Sequence, residues 1–292
     1  MLVSTRFLPV SAEFLKVRRL RATRVILAAM ALAQVLVLMG ITYSLSNPAQ
    51  PQGPSPEILD QARLMTTFPT GIPVALSFAA TLGPLFAIIL SAHIVGCEYS
   101  WGTMRQLIAT GQDRTRYIFI KTAGLLLASL MIAITSGVSG GAGLALTPLI
   151  GGMPPQPGAI MSPGFLLSLA KALGIAWFCL SFYSLLTLLF TTLARSTATG
   201  MAAGLLFFFL EGGLMGFLAH MIPAAKSIIP YTISYNITII QSLLEGATHA
   251  GPVASNELLA GGTPIRAFAI LLLYAAGFLR GAIEIARRQE LS

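Results

Sequence analysis

The chain has 292 residues, of which 55% are hydrophobic and only 10% are charged, and its mean hydropathy is +0.80. A water-soluble protein of this length needs far more polar residues to cover its surface, so the composition excludes that class. On so apolar a chain the formal net charge of +8 indicates cytoplasmic helix ends rather than a nucleic-acid partner. Cys97 and Cys179 form no C-x-x-C pair, which argues against a disulfide framework and against a zinc site.

Six apolar stretches are long enough to cross a bilayer. About 20 helical residues span ~30 Å of hydrocarbon, and lipid-exposed backbone must form its hydrogen bonds within its own helix. The predicted spans are residues 25–45, 72–96, 122–146, 165–193, 200–222 and 265–283. In the last span, Arg266 and Arg280 bracket a short uncharged core and must snorkel outward. The sequence therefore predicts an all-α polytopic membrane protein with a single transmembrane domain over residues 1–292.

The basic residues predict the orientation of these spans. Most of the 18 Lys and Arg residues lie before the first span, between spans two and three, between spans four and five, or after span six. The positive-inside rule then places both termini in the cytoplasm. We expect a multi-pass protein of the cytoplasmic membrane, from a bacterial source.

The N-terminal segment, residues 1–24, mixes apolar and basic residues. Phe14, Leu15 and Val17 lie among Lys16 and Arg18, a pattern typical of a basic amphipathic helix in the headgroup plane. The alternative is a basic flank that only fixes the topology.

The connection over residues 223–264 is too long for a turn and is apolar in its middle. Pro230, Asn236 and Gln241 interrupt that apolar run, so it is not expected to cross the bilayer. It predicts one or two short helices at the outer face.

The connection between spans two and three, residues 97–121, is the most informative segment. A helix from Glu98 to Ala109 would place Glu98, Trp101 and Arg105 on neighbouring turns. Gly111 would end that helix, and Asp113 would cap the next one. Such a rigid, charged elbow suits docking into a soluble partner. The alternative is a basic hairpin whose arginines bind lipid headgroups.

The same segment resembles a known family. The pattern E-x-x-x-G-T-x-R, followed by G-x-x-R and a lysine that enters the next span, is similar to that of the ABC-2-type permeases, the membrane subunits of type V ABC transporters. The matching residues are Glu98, Gly102, Thr103, Arg105, Gly111, Arg114 and Lys121. The layout of an N-terminal amphipathic helix, six spans and a long outer connection is similar too.

The resemblance implies a mechanism. Such permeases form dimers on two ATPase subunits, which bind ATP and magnesium and push on the segment between spans two and three. Trp101 and Met104 would then insert into the ATPase cleft, while Glu98 and Arg105 organise the docking helix. The sequence has no G-x-x-x-x-G-K-[ST] phosphate loop, so the ATPase is expected to be a separate polypeptide and no cofactor is expected on this chain. A homodimer is the default because closed two-fold symmetry is the commonest assembly.

Three residues inside the spans are candidates for a translocation path. Glu211 lies midway along the fifth span, where it either contacts substrate or a proton, or is a hydrogen-bonded carboxyl that locks helix packing. Phe208 either lines a hydrophobic pathway or faces lipid. Pro84 is expected to kink span two.

An ATP-driven exporter of a hydrophobic or amphiphilic compound (a drug, antibiotic, peptide or lipid) is the leading functional hypothesis. An ATP-independent secondary transporter or channel is the alternative, although such proteins usually carry several ionisable residues within the membrane or an internal repeat. A membrane enzyme is disfavoured because no catalytic constellation and no cluster of metal ligands is seen in the sequence.

Overall fold

A computed structural model describes residues 8–46, 63, 66–102, 113–154, 158, 162–221, 228–245 and 262–289, without the side chains of 8–12 and 212–221. This part of the chain is helical and contains no strand. Its helices are α1 (Leu8–Arg19), α2 (Arg21–Ser46), α3 (Ile72–Ser100), α4 (Arg114–Leu146), α5 (Pro163–Ala194), α6 (Thr197–Met221), α7 (Ile233–Glu245) and α8 (Pro264–Arg288).

Five of the long helices have the length and the apolar composition needed to cross a membrane. They are α2, α3, α4 with the 3₁₀ turn that follows it, α5 and α8. This confirms an all-α polytopic membrane protein, and these helices cover five of the predicted spans. The helix α6 covers the remaining predicted span, but its side chains are described only as far as Glu211, so the count of six spans stays a prediction.

The centre of the bundle is formed by α3, α4 and α5. Leu76, Ile88 and Ile94 of α3 are fully buried, as are Leu180 and Leu186 of α5. Helices α2, α6 and α8 pack around this centre, and α8 buries a single face. The outer helices therefore leave apolar faces for lipid or for another subunit.

The connection before α8 contains the short helix that its sequence predicts. A 3₁₀ turn over Ile229–Tyr231 leads into α7, which packs on α8 and α3. The side chain of Gln241 donates to the carbonyl oxygen of Ala80 at 2.9 Å, which ties α7 to the centre of the bundle.

Helices α2, α3 and α4 meet around the buried side chain of Gln34. Its Nε2 donates to the carbonyl oxygen of Ala75 at 3.0 Å, and its Oε1 accepts from the hydroxyls of Ser136 at 2.7 Å and Ser139 at 3.2 Å. With its amide satisfied in this way, Gln34 joins three helices without an unpaired polar atom.

Glycine at residue 140 permits the close approach of α4 to α3. A Cβ at Gly140 would lie 2.5 Å from the Cβ of Ala75, whereas one at Gly137 would lie 3.7 Å from its nearest neighbour, on Leu76. Of these two glycines, Gly140 is therefore the one at which α4 lies closest to α3.

Gly140→Ala is expected to lower the stability of the bundle by about 1–3 kcal/mol, because the added methyl group overlaps Ala75. The measurement is thermal unfolding of the purified protein in detergent. Gly137→Ala is the matched control on the same helix, and its unfolding temperature should stay the same or rise slightly. Equal destabilisation by both substitutions would contradict the packing described.

Candidate functional site

Four charged side chains and a tyrosine form a buried cluster where α1, α3 and α4 meet. Lys121 of α4 donates from Nζ to the Oε1 atoms of Glu13 and Glu98, each at 2.5 Å. Lys16 of α1 forms a second ion pair with Glu98. The hydroxyl of Tyr117 donates to Glu98 Oε2 at 2.7 Å. We call these five residues the ion cluster.

The two acids and two lysines of the ion cluster balance in charge. Lys121 and Glu98 have side-chain exposures of only 2% and 5%, so neither has bulk water to stabilise its charge. Burying a single ion of this kind costs several kcal/mol, and removing one partner from a buried pair is strongly destabilising. The cluster therefore holds α1, α3 and α4 together only while all its charges are present.

The local packing explains why Glu13 reaches Lys121. Glu13 lies against α4 at Gly124, where a Cβ would be only 2.9 Å from Glu13 Cγ. Any larger residue at this position would push α1 away from α4. Val17, one turn further along α1, is also fully buried, so an apolar contact accompanies the ion pairs.

Lys16 is more exposed than the other ions of the cluster and closes its outer edge. Burial lowers the pKa of Lys16, but the hydrogen bond with Glu98 and the charges of Glu98 and Glu13 outweigh this effect, so its pKa lies above the usual lysine value. Lys16 therefore stays protonated at neutral pH and keeps the cluster balanced.

Arg114 anchors the other side of the same connection. Its Nη1 donates toward the carbonyl oxygens of Ala286 at 3.1 Å and Arg287 at 3.0 Å, and also to that of Gln289. These are the unsatisfied carbonyls at the end of α8, where a cation is favoured by the helix dipole. Arg287 in turn donates to the hydroxyl of Thr115 at 3.0 Å.

The predicted docking helix is interrupted near its start. Helix α3 runs on to Ser100, and Trp101 and Gly102 form a turn in which Gly102 has φ +68°. A positive φ of this kind favours glycine and ends a helix. The predicted unbroken helix from Glu98 to Ala109 is therefore wrong. Asp113 caps α4 as predicted, since its side chain accepts from the backbone N–H of Thr115 at 3.2 Å.

The predicted docking residues fall in three places. Glu98 and Lys121 lie in the ion cluster, and Arg114 lies against α8. Trp101 and Gly102 lie in the turn after α3, where Trp101 is 62% exposed. Thr103, Met104, Arg105 and Gly111 lie outside the described residues.

Most of the chain matches one family of membrane proteins. The family model described as ABC-2 family transporter protein matches residues 10–285. The chain belongs to this ABC-2 transporter family. No curated protein matches it. An ABC-2 permease is a membrane subunit of an ABC transporter, and the matched range includes the whole ion cluster and Arg114.

Three residues of the ion cluster in this ABC-2 chain, Glu13, Lys16 and Tyr117, were missed as site residues by sequence reasoning. Lys16 was interpreted only as one of the basic residues of an amphipathic helix. One signal was available: Glu13 is the sole acid before Glu57, inside a strongly basic segment. An acid isolated among cations is a candidate for a specific ion pair, although its partner over a hundred residues away was not evident.

The candidate translocation residues lie apart from the ion cluster. The carboxylate of Glu211 accepts from the backbone N–H of Ser234, at 2.8 Å to Oε1 and 3.0 Å to Oε2. Phe208 packs edge-on against Tyr183, with ring centroids 5.4 Å apart. Pro84 is buried within α3. The contact of Glu211 with α7 supports the interpretation that it locks helix packing, and the roles of all three residues in transport stay predictions.

The described residues contain no group of three or more His, Cys, Asp or Glu side chains that could hold a metal ion.

Lys121→Met is expected to destabilise the protein by about 3–5 kcal/mol, because it leaves two buried carboxylates facing a single lysine. Thermal unfolding in detergent measures the change. Lys171→Met is the matched control, since Lys171 is exposed on α5 and its substitution should leave the unfolding temperature nearly unchanged. If the two variants unfold at the same temperature, the ion cluster contributes nothing to stability.

Proposed function

We propose that this chain is the permease subunit of an ATP-driven exporter that moves a hydrophobic or amphiphilic compound outward across the cytoplasmic membrane. The family supports the class of transporter, and the apolar helices support its membrane location. The observation that carries the proposal is the anchoring of the connection between α3 and α4. The ion cluster and the Arg114 contact fasten both of its flanks to other helices.

In this proposal, two copies of a separate ATPase, each with ATP and magnesium, dock on residues 97–121 of two permease protomers. Trp101 is the described residue best suited to insertion into the ATPase, because it is a large aromatic side chain that is exposed next to the anchored helix end. Met104 and Arg105 follow it in the sequence and complete the proposed docking element.

The anchoring determines where a push from the ATPase would go. A force on the turn after Ser100 reaches α3 directly, and it reaches α1 because Glu98 is paired with Lys16. At the start of α4, Arg114 passes it to the end of α8. We therefore infer that α1 and α8 move together with α3 and α4 when the ATPases close.

The second protomer is proposed to be another copy of this chain. Helix α8 buries Ala267, Leu271, Ala282 and Ala286 on one face and leaves Ile265 and Leu273 exposed, at 84% and 75%. An apolar face of this kind suits lipid or a neighbouring subunit, and two-fold symmetry makes the homodimer the simplest assembly.

Trp101→Ala is expected to weaken retention of the ATPase by roughly thirtyfold, since a central aromatic residue of an interface typically contributes at least about 2 kcal/mol. The measurement is co-purification from the native host in mild detergent, with mass spectrometry to identify a companion ATPase. Arg105→Glu is expected to have the same effect through charge reversal.

Phe209→Ala serves as the control, because Phe209 has nearly the same exposure (61%) as Trp101 but lies on α6. It should leave the ATPase bound. Recovery of the wild-type permease without any ATPase would instead favour an ATP-independent transporter, and equal ATPase recovery with Trp101→Ala would show that docking lies elsewhere.

A further inference from the structure

A cavity of about 290 Å³ lies where α6, α7 and α8 meet. The described part of its lining combines aromatic rings with a single acid, and includes Phe207, Glu211, Tyr231, Thr232, Tyr274 and Phe278. The volume is at the lower end of the roughly 300–1,000 Å³ of small-molecule pockets, so it suits the head of an amphiphile better than a whole drug-sized molecule.

Among the described residues, the hydrogen-bond donors to the acid of this cavity come from one side, the first turn of α7. Ser234 belongs to the first turn of α7, and its N–H group and the helix dipole both favour a negative charge on Glu211. Among the described residues, no basic side chain forms an ion pair with Glu211. Glu211 is partly buried, and a cation in the cavity would offset the cost of partly withdrawing its carboxylate from water.

The rings around Glu211 suit the same kind of ligand. The faces of tyrosine and phenylalanine rings carry negative electrostatic potential and attract ammonium groups. The ring of Tyr231 already attracts a cation, since the guanidinium of Arg266, which does not line the cavity, lies 5.0 Å from its centroid. The hydroxyl of Tyr274 donates to the carbonyl oxygen of Tyr231 at 3.1 Å, which holds these two walls together.

We propose that this cavity binds the ammonium head of a cationic amphiphile, with aromatic rings around the head and Glu211 as its counter-ion. The head belongs either to a choline lipid or to a free cationic compound. The identity of this ligand as cargo rests on the proposed export function, whereas binding itself requires no ATPase.

The test is a titration of the purified permease, in nanodiscs of phosphatidylglycerol, with benzyltrimethylammonium. Its neutral isostere, in which carbon replaces the nitrogen, has the same shape without the charge and should bind at least about tenfold more weakly. Glu211→Gln keeps an acceptor for Ser234 but removes the charge, and it should weaken binding of the cation about tenfold while leaving the isostere unaffected.

Glu284→Gln is the matched control, because Glu284 is an exposed acid of α8 paired with Arg288. It should bind benzyltrimethylammonium as the wild type does. If Glu211→Gln proves unstable, Phe278→Leu tests the same cavity by removing one ring, and it should weaken binding several-fold.

The lipid in the nanodisc separates the two sources of the head. Weaker binding in phosphatidylcholine than in phosphatidylglycerol, by a larger factor than Glu211→Gln shows between the same two lipids, would identify a choline lipid as the occupant, because it competes for the cavity. The same factor in both proteins reflects only attraction of the cation to the anionic lipid and would identify a free cationic compound. The proposal is overturned if the neutral isostere binds as tightly as the cation, or if Glu211→Gln and a folded Phe278→Leu both bind like the wild type. Because these titrations contain no ATPase, their outcome is independent of the co-purification that tests the exporter.

Discussion

Charges removed from water must be matched by opposite charges, and this requirement shapes one end of the bundle. Glu98 and Lys121 are nearly inaccessible, and each is stable there only because Glu13 and Lys16 of α1 complete the balance. An apolar contact in the same place would tolerate sliding, whereas paired ions with short hydrogen bonds fix one arrangement. Helix α1 has basic residues at its end, and the ion cluster in addition packs it against α3 and α4.

The connection between α3 and α4 is attached to other helices at both of its flanks, unlike a simple loop. On one flank the ion cluster joins α3 and α4 to α1, and on the other Arg114 satisfies the carbonyls that end α8. In the proposed mechanism, movement at this connection would be shared by four helices. At α7, Glu211 plays a comparable part with different chemistry, since a carboxylate of α6 there holds the first turn of another helix.

The sequence predicted the helices well because length and hydropathy depend on local residues. The ends of α3 and α4 extend beyond the predicted spans, since Glu98 and Lys121 continue as helix until the turn at Gly102 and the cap at Asp113. Glu98 and Lys121 belong to the motif that was predicted to form a docking surface, yet both side chains are buried. Their partners Glu13 and Lys16 are distant in sequence, and no local pattern shows which ions will meet.

Ion pairs fasten α1 to α4, and a double-mutant cycle between Glu13 and Lys121 measures this pairing. Glu13→Gln, Lys121→Met and the double variant would be compared by thermal unfolding in the same detergent. We expect a coupling free energy of about 1–3 kcal/mol, with the double variant more stable than the sum of the single changes implies. Additivity within about 0.5 kcal/mol would contradict a direct pair and the anchoring of α1 that depends on it.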